Sequence, residues 1–470
     1  MMGHAAELRK AGVCLLVALA GCVHTRQGPC EGGVSPNPTP EALPAAARGQ
    51  LNIDLTTIPM PGATAESAAG EAGQPAYRLL LAPDCQCRAA EAAVLANLLD
   101  DERQVVAARK ASAHTVSTGR AGAENDTLSS ILLHAALEDR NSSAAKALDA
   151  YYQLGAAEAN RDIVRQAQAV TDRALTQARD LKRQGLAVTV DDAQLYRQQL
   201  DIKAQSTKVE LLIEKLNSDL RLEMGFAPPG PAWRFWPQDA LRLNTESVQR
   251  DEAVAVGLSN RPELQLLTEL EDRLNSENAP AVLQAMQAVN ALLGNGKPPL
   301  ICPKLQLLLA MLCGPGDEAE LQIRRKQLRE LHVHKEHEVS EQIGQAVQAI
   351  HAQMEVIGLV GQQIASWQTK IREAEDKEQR GVGSFAETAA ARTEWLQAKR
   401  RAVEEIANLQ RAWVKLRQTQ GMLVAGCLPG MHACHTSSGL GNGRDTLARP
   451  HHLKVLGEQG AGTPSTAVPK

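Results

Sequence analysis

The sequence predicts a mainly α-helical protein built from two copies of one long antiparallel helical hairpin. Gly185 and Gly225 bracket one helical segment, and Gly381 and Gly421 bracket another at a constant offset of 196 residues without a gap. A long helical segment precedes each pair. In the first of these segments the apolar residues are spaced in threes, fours and sevens, which is typical of helices that pack through a heptad seam. A glycine after a last helical turn usually ends the helix. The duplication therefore sets the fold as a repeat of helix, glycine turn and returning helix.

The composition supports long helices and excludes several classes of function. Aromatic residues make up only 3% of the 470 residues, and Ala, Leu, Gln, Glu and Arg dominate, as in coiled coils. The net charge of -4 and the lack of a basic stripe with interleaved aromatics indicate no nucleic-acid partner. No Ser-His-Asp spacing, P-loop or dinucleotide fingerprint occurs, so the sequence predicts neither an enzyme nor a cofactor.

The first residues predict export and lipid anchoring. A positively charged pair precedes a short apolar run at 11–20, and the sequence Leu-Ala-Gly-Cys ends at Cys22. A run of that length is typical of a signal peptide, here 1–21, and the motif matches the lipobox of bacterial lipoproteins. An ordinary secretory signal with an incidental cysteine is the alternative. Residues 22–84 are rich in Pro, Gly and Ala at their start and predict a flexible tether.

Export would place the cysteines in an oxidising compartment, where disulfides form. Cys85 and Cys87 are too close to each other for an easy bridge. The sequence does not indicate which other cysteines they would pair with. Two short loops are candidates for disulfides: Cys302 with Cys313, and Cys427 with Cys434.

Repeat 1 is predicted over 85–226. It starts with a helix over about 89–111 and continues through a polar gap at 112–125. A helix of some 55 residues then reaches Gln184.

A connecting segment is predicted over 227–259, where Trp233, Phe235 and Trp236 require burial in a small packed region. Repeat 2 covers 260–425 and a disordered tail covers 426–470.

Repeat 2 opens on Asn260-Arg261-Pro262-Glu263, which has the pattern of a helix start with Asn260 as the cap. This helix is expected to reach about residue 293. A second gap follows at 294–316, and another helix of about 60 residues leads to the second glycine turn.

The two turns carry matching residues. Gly185 is followed by Leu186 and, six positions after the glycine, by Asp191, while Gly381 is followed by Val382 and Glu387. An Ala-rich helix containing a leucine follows each acid. This pattern resembles the periplasmic tips of TolC-type outer membrane efflux proteins. The stretch Ala-Val-Ala-Val-Gly-Leu-Ser-Asn-Arg-Pro-Glu-Leu at 253–264 also resembles the mid-chain motif of that family.

The resemblance implies a homotrimer in the outer membrane that faces the periplasm, with twelve helices closing into a hollow cylinder. Gly185, Leu186, Gly381 and Val382 would then contact a periplasmic adaptor, which works with an inner-membrane pump. Asp191 and Glu387 would face the entrance, where three copies of each form a cation-favouring ring. For Glu387 the alternative is a capping box with Ser384, since Ser-x-x-Glu is the signature of a helix start.

The sequence departs from the family in two places. Well-studied members close the entrance with an Arg two residues after the second glycine and a Tyr three before it, whereas this chain has Gly383 and Glu378. The two gaps also lack the alternating pattern of membrane strands, so the sequence predicts little or no β-barrel. His332, His334, His337 and Glu338 lie on one predicted helix, where solvated side chains are favoured over a metal site.

The sequence as a whole favours a passive periplasmic exit duct of a tripartite efflux or type I secretion system. The alternative is a non-conducting periplasmic coiled-coil spacer.

Overall fold

The computed structural model describes residues 76–113, 119–185, 192–226, 233–244, 246–289 and 318–427. The elements of these residues are, in chain order, β1 (Ala76–Leu80), α1 (Ala82–Ala92), α2 (Val94–Ala113), α3 (Gly119–Arg183), α4 (Asp192–Glu223), β2 (Trp233–Pro237), α5 (Arg250–Asn260), α6 (Pro262–Arg273), α7 (Ala279–Val289), α8 (Glu318–Gln379) and α9 (Phe385–Thr419).

Two long hairpins form the body of the protein, which confirms the predicted fold class. Helix α3 has 65 residues and α8 has 62, whereas the returning helices α4 and α9 have 32 and 35. At a rise of 1.5 Å per residue, α3 extends about 98 Å. The returning helices cover only the tip-side half of α3 and α8, and the other half packs against α1, α2, α5, α6 and α7.

The four long helices pack in the order α4, α3, α9, α8. The core between them is aliphatic and rich in alanine, which lets helix axes approach closely. Leu154 and Ile213 are buried in the first hairpin, and Ile350 and Ile406 in the second. One continuous core connects the two hairpins, so they form a single packed unit.

The same helix ending occurs four times. Gly185, Gly225, Gly381 and Gly421 have φ values between +71° and +76°, and each donates its N–H to the carbonyl three residues back. The two glycines that end the returning helices lie against a break between two other helices. A Cβ at Gly225 would be 2.8 Å from Ala92 Cβ, and one at Gly421 would be 2.9 Å from the Asn260 carbonyl oxygen.

A small parallel sheet joins the region before repeat 1 to the connecting segment. Strand β1 pairs with β2 from Ala76 opposite Trp233 to Leu80 opposite Pro237. Phe235 and Trp236 are buried, as predicted for the aromatic cluster. The tether was predicted to reach residue 84, but β1 and the start of α1 lie within that range. Strand β1 is held by β2, which is far away in sequence. The composition of the predicted tether does not reveal this pairing.

The first predicted helix, over 89–111, is two helices that break at Ala93. The break leaves the first N–H groups of α2 without helical partners. Asp139 of α3 accepts a hydrogen bond from Ala96 N at 3.0 Å. A tertiary contact therefore stabilises this break between α1 and α2, for which the sequence has no local signal.

Repeat 2 begins differently from the prediction. Asn260 closes α5, and its side-chain amide donates to the Val256 carbonyl at 2.7 Å, so it does not cap the next helix. Arg261 occupies the N-cap position of α6 without a side-chain cap bond. The break itself follows from Pro262, because the residue before a proline avoids the helical conformation.

The helix expected to reach residue 293 ends at Arg273, and α7 follows separately. Asn275 and Asn278 form the turn between them: Asn275 Oδ1 accepts from Asn278 N at 3.0 Å, and the Asn278 amide donates to the Arg273 carbonyl at 2.9 Å. Asparagine side chains favour such turns over helix.

The predicted gap at 112–125 is largely helical, since α2 runs to Ala113 and α3 starts at Gly119. The second gap lies outside the described residues. Among the helices that are described, none combines the length and hydropathy needed to cross a membrane.

A disulfide joins Cys87 of α1 to Cys427, which follows α9. The predicted bridge between Cys427 and Cys434 is therefore wrong. Cys85 is buried and unbridged, and burial raises the pKa of its thiol far above the usual range. Cys302 and Cys313 lie outside the described residues.

Candidate functional site

The second hairpin tip is a compact turn held by main-chain hydrogen bonds. Gly381 N donates to the Glu378 carbonyl, and the N–H groups of Val382 and Gly383 both donate to the Lys377 carbonyl, all at 3.0 Å. These bonds satisfy the last carbonyls of α8, as in the Schellman ending of a helix. Val382 is 78% exposed, so the tip presents a large aliphatic side chain to solvent.

Gly381 and Gly383 are required for different reasons. Gly381 has φ +72°, and a Cβ added there would meet open space, so only its backbone conformation favours glycine. At Gly383 a Cβ would lie 2.7 Å from Lys377 Cβ and 3.0 Å from Glu378 N. A side chain at position 383 would therefore require Lys377 or the turn itself to shift.

Helix α9 starts with one half of a capping box. Ser384 is the N-cap, and its Oγ accepts from Glu387 N at 3.3 Å. Glu387 is exposed, and among the described residues its carboxylate makes no return bond to Ser384 N. The backbone of Glu387 thus contributes to the cap while its charge faces solvent.

Two side-chain contacts tie α8 to α9 just behind this turn. Thr388 Oγ1 donates to Glu378 Oε2 at 2.6 Å, and Arg392 pairs with Glu375 at 2.6 Å. Glu378 therefore bonds within its own hairpin.

The first tip is described only up to its glycine. Gly185 ends α3 by donating to the Lys182 carbonyl at 3.0 Å, and its φ of +76° matches that of Gly381. Leu186, Asp191 and the predicted lipidation site Cys22 lie outside the described residues.

Helix α4 forms one edge of the four-helix layer and exposes apolar and small residues at heptad spacing. Leu211 is 71% exposed and Leu222 is 76% exposed. The full stripe consists of exposed residues three or four positions apart: Leu200, Ala204, Thr207, Leu211, Ser218 and Leu222, with one interruption between Leu211 and Ser218. The sequence analysis did not single out this stripe, although its spacing is visible in the sequence.

Helix α8 forms the opposite edge and carries a matching stripe. Leu359 is 59% exposed, and the neighbouring exposed positions again follow three-four spacing: Gln345, Gln348, Ala352, Glu355, Leu359, Gln362 and Ser366. Only one of these seven residues is charged. Both edges of the layer thus carry a stripe at coiled-coil spacing that no described helix of the chain covers.

A buried charge network lies where the sheet meets the first hairpin. Arg161 pairs with Glu158 at 2.5 Å and donates to the Tyr77 hydroxyl at 2.6 Å. Burial raises the pKa of Glu158 to about 7, against the opposing effect of Arg161. The network connects β1 to α3 and has no opening to solvent at Glu158, which is 1% exposed.

The predicted histidine cluster has ordinary helical partners. His332 Nε2 lies 3.7 Å from Glu336, and Glu338 accepts from Lys335 at 2.6 Å. Within the described ranges, no group of three or more potential ligand side chains is arranged to hold a metal ion.

Comparison with known proteins identifies the fold. The structure of CusC, described in terms of folding and transmembrane channel formation, matches with a TM-score of 0.52 at 11% identity, covering 72% of this chain and 91% of CusC. VceC, an outer membrane protein from Vibrio cholerae, matches at 14% identity with a TM-score of 0.45, covering 64% of this chain and 76% of VceC.

The open-state outer membrane channel MtrE from Neisseria gonorrhoeae matches at 9% identity with a TM-score of 0.46, covering 72% and 88% of the two chains. No protein-family model matches the sequence, and no curated protein matches it either. At these identities the likeness to CusC establishes the fold of the protein alone, a TolC-like arrangement of duplicated hairpins.

Proposed function

We propose that this protein, which has the fold of a TolC-like channel protomer, assembles as a homotrimer into a periplasmic exit duct of a tripartite efflux or type I secretion system. The duct conducts passively, and the energy comes from an inner-membrane pump reached through a periplasmic adaptor. The observation that carries the proposal is the pair of exposed heptad seams on the two edge helices, α4 and α8.

Chain direction supports closure of the layer on itself. In the order α4, α3, α9, α8, each helix runs opposite to its neighbour, because α3 and α8 run toward the tips while α4 and α9 run away from them. If α8 of one copy meets α4 of the next, the alternation continues across the contact. A head-to-tail contact of this kind generates a ring when the rotation closes.

The two seams also match in level. Leu211 of α4 and Leu359 of α8 each lie roughly 23 residues, or about 35 Å, from the middle of their tip turns. Both are among the most exposed leucines that the structure describes. Burying such a pair against each other would contribute about 1.5–3 kcal/mol per side chain.

The remaining roles follow from this assembly. Gly185, Leu186, Gly381 and Val382 contact the adaptor, since the exposed Val382 marks the tip as an apolar docking point. Asp191 and the exposed carboxylate of Glu387 form the entrance ring. Lipids on Cys22 hold the cylinder at the outer membrane, facing the periplasm.

Oxidative crosslinking tests the contact between copies. A protein carrying both Leu211→Cys and Leu359→Cys should form covalent dimers and trimers in mild detergent, while each single variant should not. The pair Leu211→Cys with Arg401→Cys is the matched control, because Arg401 lies on the inner helix α9. Wild-type protein treated in parallel accounts for the native cysteines.

After subtraction of bound detergent, the mass of the assembly should be about three times that of the mature chain, which lacks residues 1–21 and is therefore somewhat lighter than the 50.5 kDa of the full sequence. A monomer that forms no crosslinked species would contradict the duct and favour the coiled-coil spacer. A trimer without conductance in lipid bilayers would favour the spacer as well.

In a conducting trimer, Asp191→Asn should weaken cation selectivity, and unchanged selectivity would refute the entrance ring.

A further inference from the structure

A groove of 390 Å³ separates helix α3 from the second hairpin on the tip-side half of the molecule. Its polar lining consists of two arginines and two glutamines, and no carboxylate belongs to it: Arg372, Arg392, Gln166 and Gln368. The volume falls within the range of small-molecule sites, which is roughly 300–1,000 Å³.

The groove has an excess of positive charge. Arg392 is neutralised by Glu375 at 2.6 Å. Arg372 is exposed and has no ion-pair partner among the described residues. One guanidinium group is therefore available, with the planar donor geometry that suits carboxylate, sulfonate or phosphate oxygens.

The rest of the groove lining is mainly apolar. Trp395 lines it together with Ile371 and Leu396. The indole Nε1 of Trp395 is buried and has no hydrogen-bond partner within the described part of the chain, although buried donors are normally paired. The Trp395 ring is held in place by Lys399, whose Nζ lies 4.5 Å from the ring centroid.

We infer that this groove is a binding site for an organic anion with an aromatic or aliphatic body. The anionic group accepts hydrogen bonds from Arg372, and the body packs on Ile371 and Leu396 beside the ring of Trp395. All of these residues belong to one copy of the chain. The site therefore does not depend on closure of the proposed ring, and its test is independent of the duct.

Isothermal titration calorimetry of the full chain with 2-naphthalenesulfonate tests the site, with a detergent-only titration subtracted. Wild-type protein should bind one equivalent per chain. Arg372→Glu should weaken binding at least about 10-fold, since it replaces a charge-assisted pair by a repulsive one. The uncharged analogue 2-naphthol should likewise bind at least about 10-fold more weakly than the sulfonate.

Arg400→Glu is the control, because Arg400 lies on the neighbouring helix α9, pairs with Glu404 at 3.2 Å and does not line the groove. Its affinity should equal that of the wild type. Equal affinity of wild type and Arg372→Glu, or no binding of the sulfonate at millimolar concentration, would overturn the inference.

Discussion

Thr388 and Glu378 face each other across the second tip, where Thr388 Oγ1 donates to Glu378 Oε2 at 2.6 Å. Thr388 is 6% exposed, so the bond is largely shielded from water. Together with the pair between Arg392 and Glu375, it ties α8 to α9 directly behind the turn. The second tip is therefore stabilised within its own hairpin.

Replacing Thr388 by valine should loosen this tip. The substitution keeps the shape but leaves the half-buried Glu378 carboxylate without its donor, which costs about 1.5–3 kcal/mol for a hydrogen bond to a charged group. Hydrogen exchange at residues 376–388 should accelerate. Thr393→Val is the control, because the Thr393 hydroxyl only donates to the Ala389 carbonyl of its own helix, and equal exchange in the two variants would contradict the role of the contact.

Substitutions at the two tip glycines should separate their two roles. Gly381→Asn should be tolerated better than Gly381→Ala, by several tenths of a kcal/mol, because asparagine adopts positive φ more readily. At Gly383, where the limit is space rather than φ, asparagine should be no better than alanine. Thermal unfolding of the four variants measures this, and the same ranking at both positions would refute the distinction.

Glu138→Gln should change how stability depends on pH. Burial raises the pKa of Glu138 from 4.5 to about 7, and the charge of Glu263 adds to the increase. One oxygen of each carboxylate is buried without a hydrogen-bond partner among the described residues. The folded protein therefore holds a proton that the unfolded chain releases between pH 4.5 and 7.

Because the folded state binds more protons in this window, the free energy of unfolding falls as pH rises through it, by roughly 3 kcal/mol in total. The glutamine variant removes this loss, so it should be more stable than wild type at pH 8 and similar at pH 4. Denaturant unfolding at both pH values measures the difference. Glu394→Gln, an exposed position on α9, should leave the pH dependence unchanged.

Loss of the disulfide between Cys87 and Cys427 should destabilise the end of the molecule away from the tips. The bond closes a sequence separation of 340 residues, and removal of a native disulfide typically costs about 2–5 kcal/mol. Cys87→Ser should lower the unfolding temperature and increase proteolysis before residue 94, with the tips unaffected. Cys85→Ser is the matched control, since Cys85 forms no disulfide; equal effects of the two would point to packing rather than to the bond.

The sequence predicts those features of the fold that depend on neighbouring residues. The tip and end glycines were predictable because a positive φ favours glycine locally, and the long helices were predictable from their heptad spacing. The break at Ala93 was not, because it is stabilised by Asp139, 43 residues away from Ala96. The partner of Cys427 and the pairing of β1 with β2 are likewise set by distant segments.

The same division applies to the candidate site. Both glycine tips and the cap at Ser384 follow from short motifs. The bond from Thr388 to Glu378 joins two helices, so neither residue has a motif of its own. The seams on α4 and α8 are visible as spacing, but only the packing order shows that no described helix of the chain covers them.

The bridge between α1 and the end of α9 has a consequence for how the protein matures. Its two thiols are synthesised far apart in time: 340 residues at 5–20 residues per second correspond to about 17–70 s. Cys87 must stay unpaired, or pair only transiently, until nearly the whole folded region has emerged. The covalent link therefore forms late in folding, after α1 and the segment that follows α9 have come together.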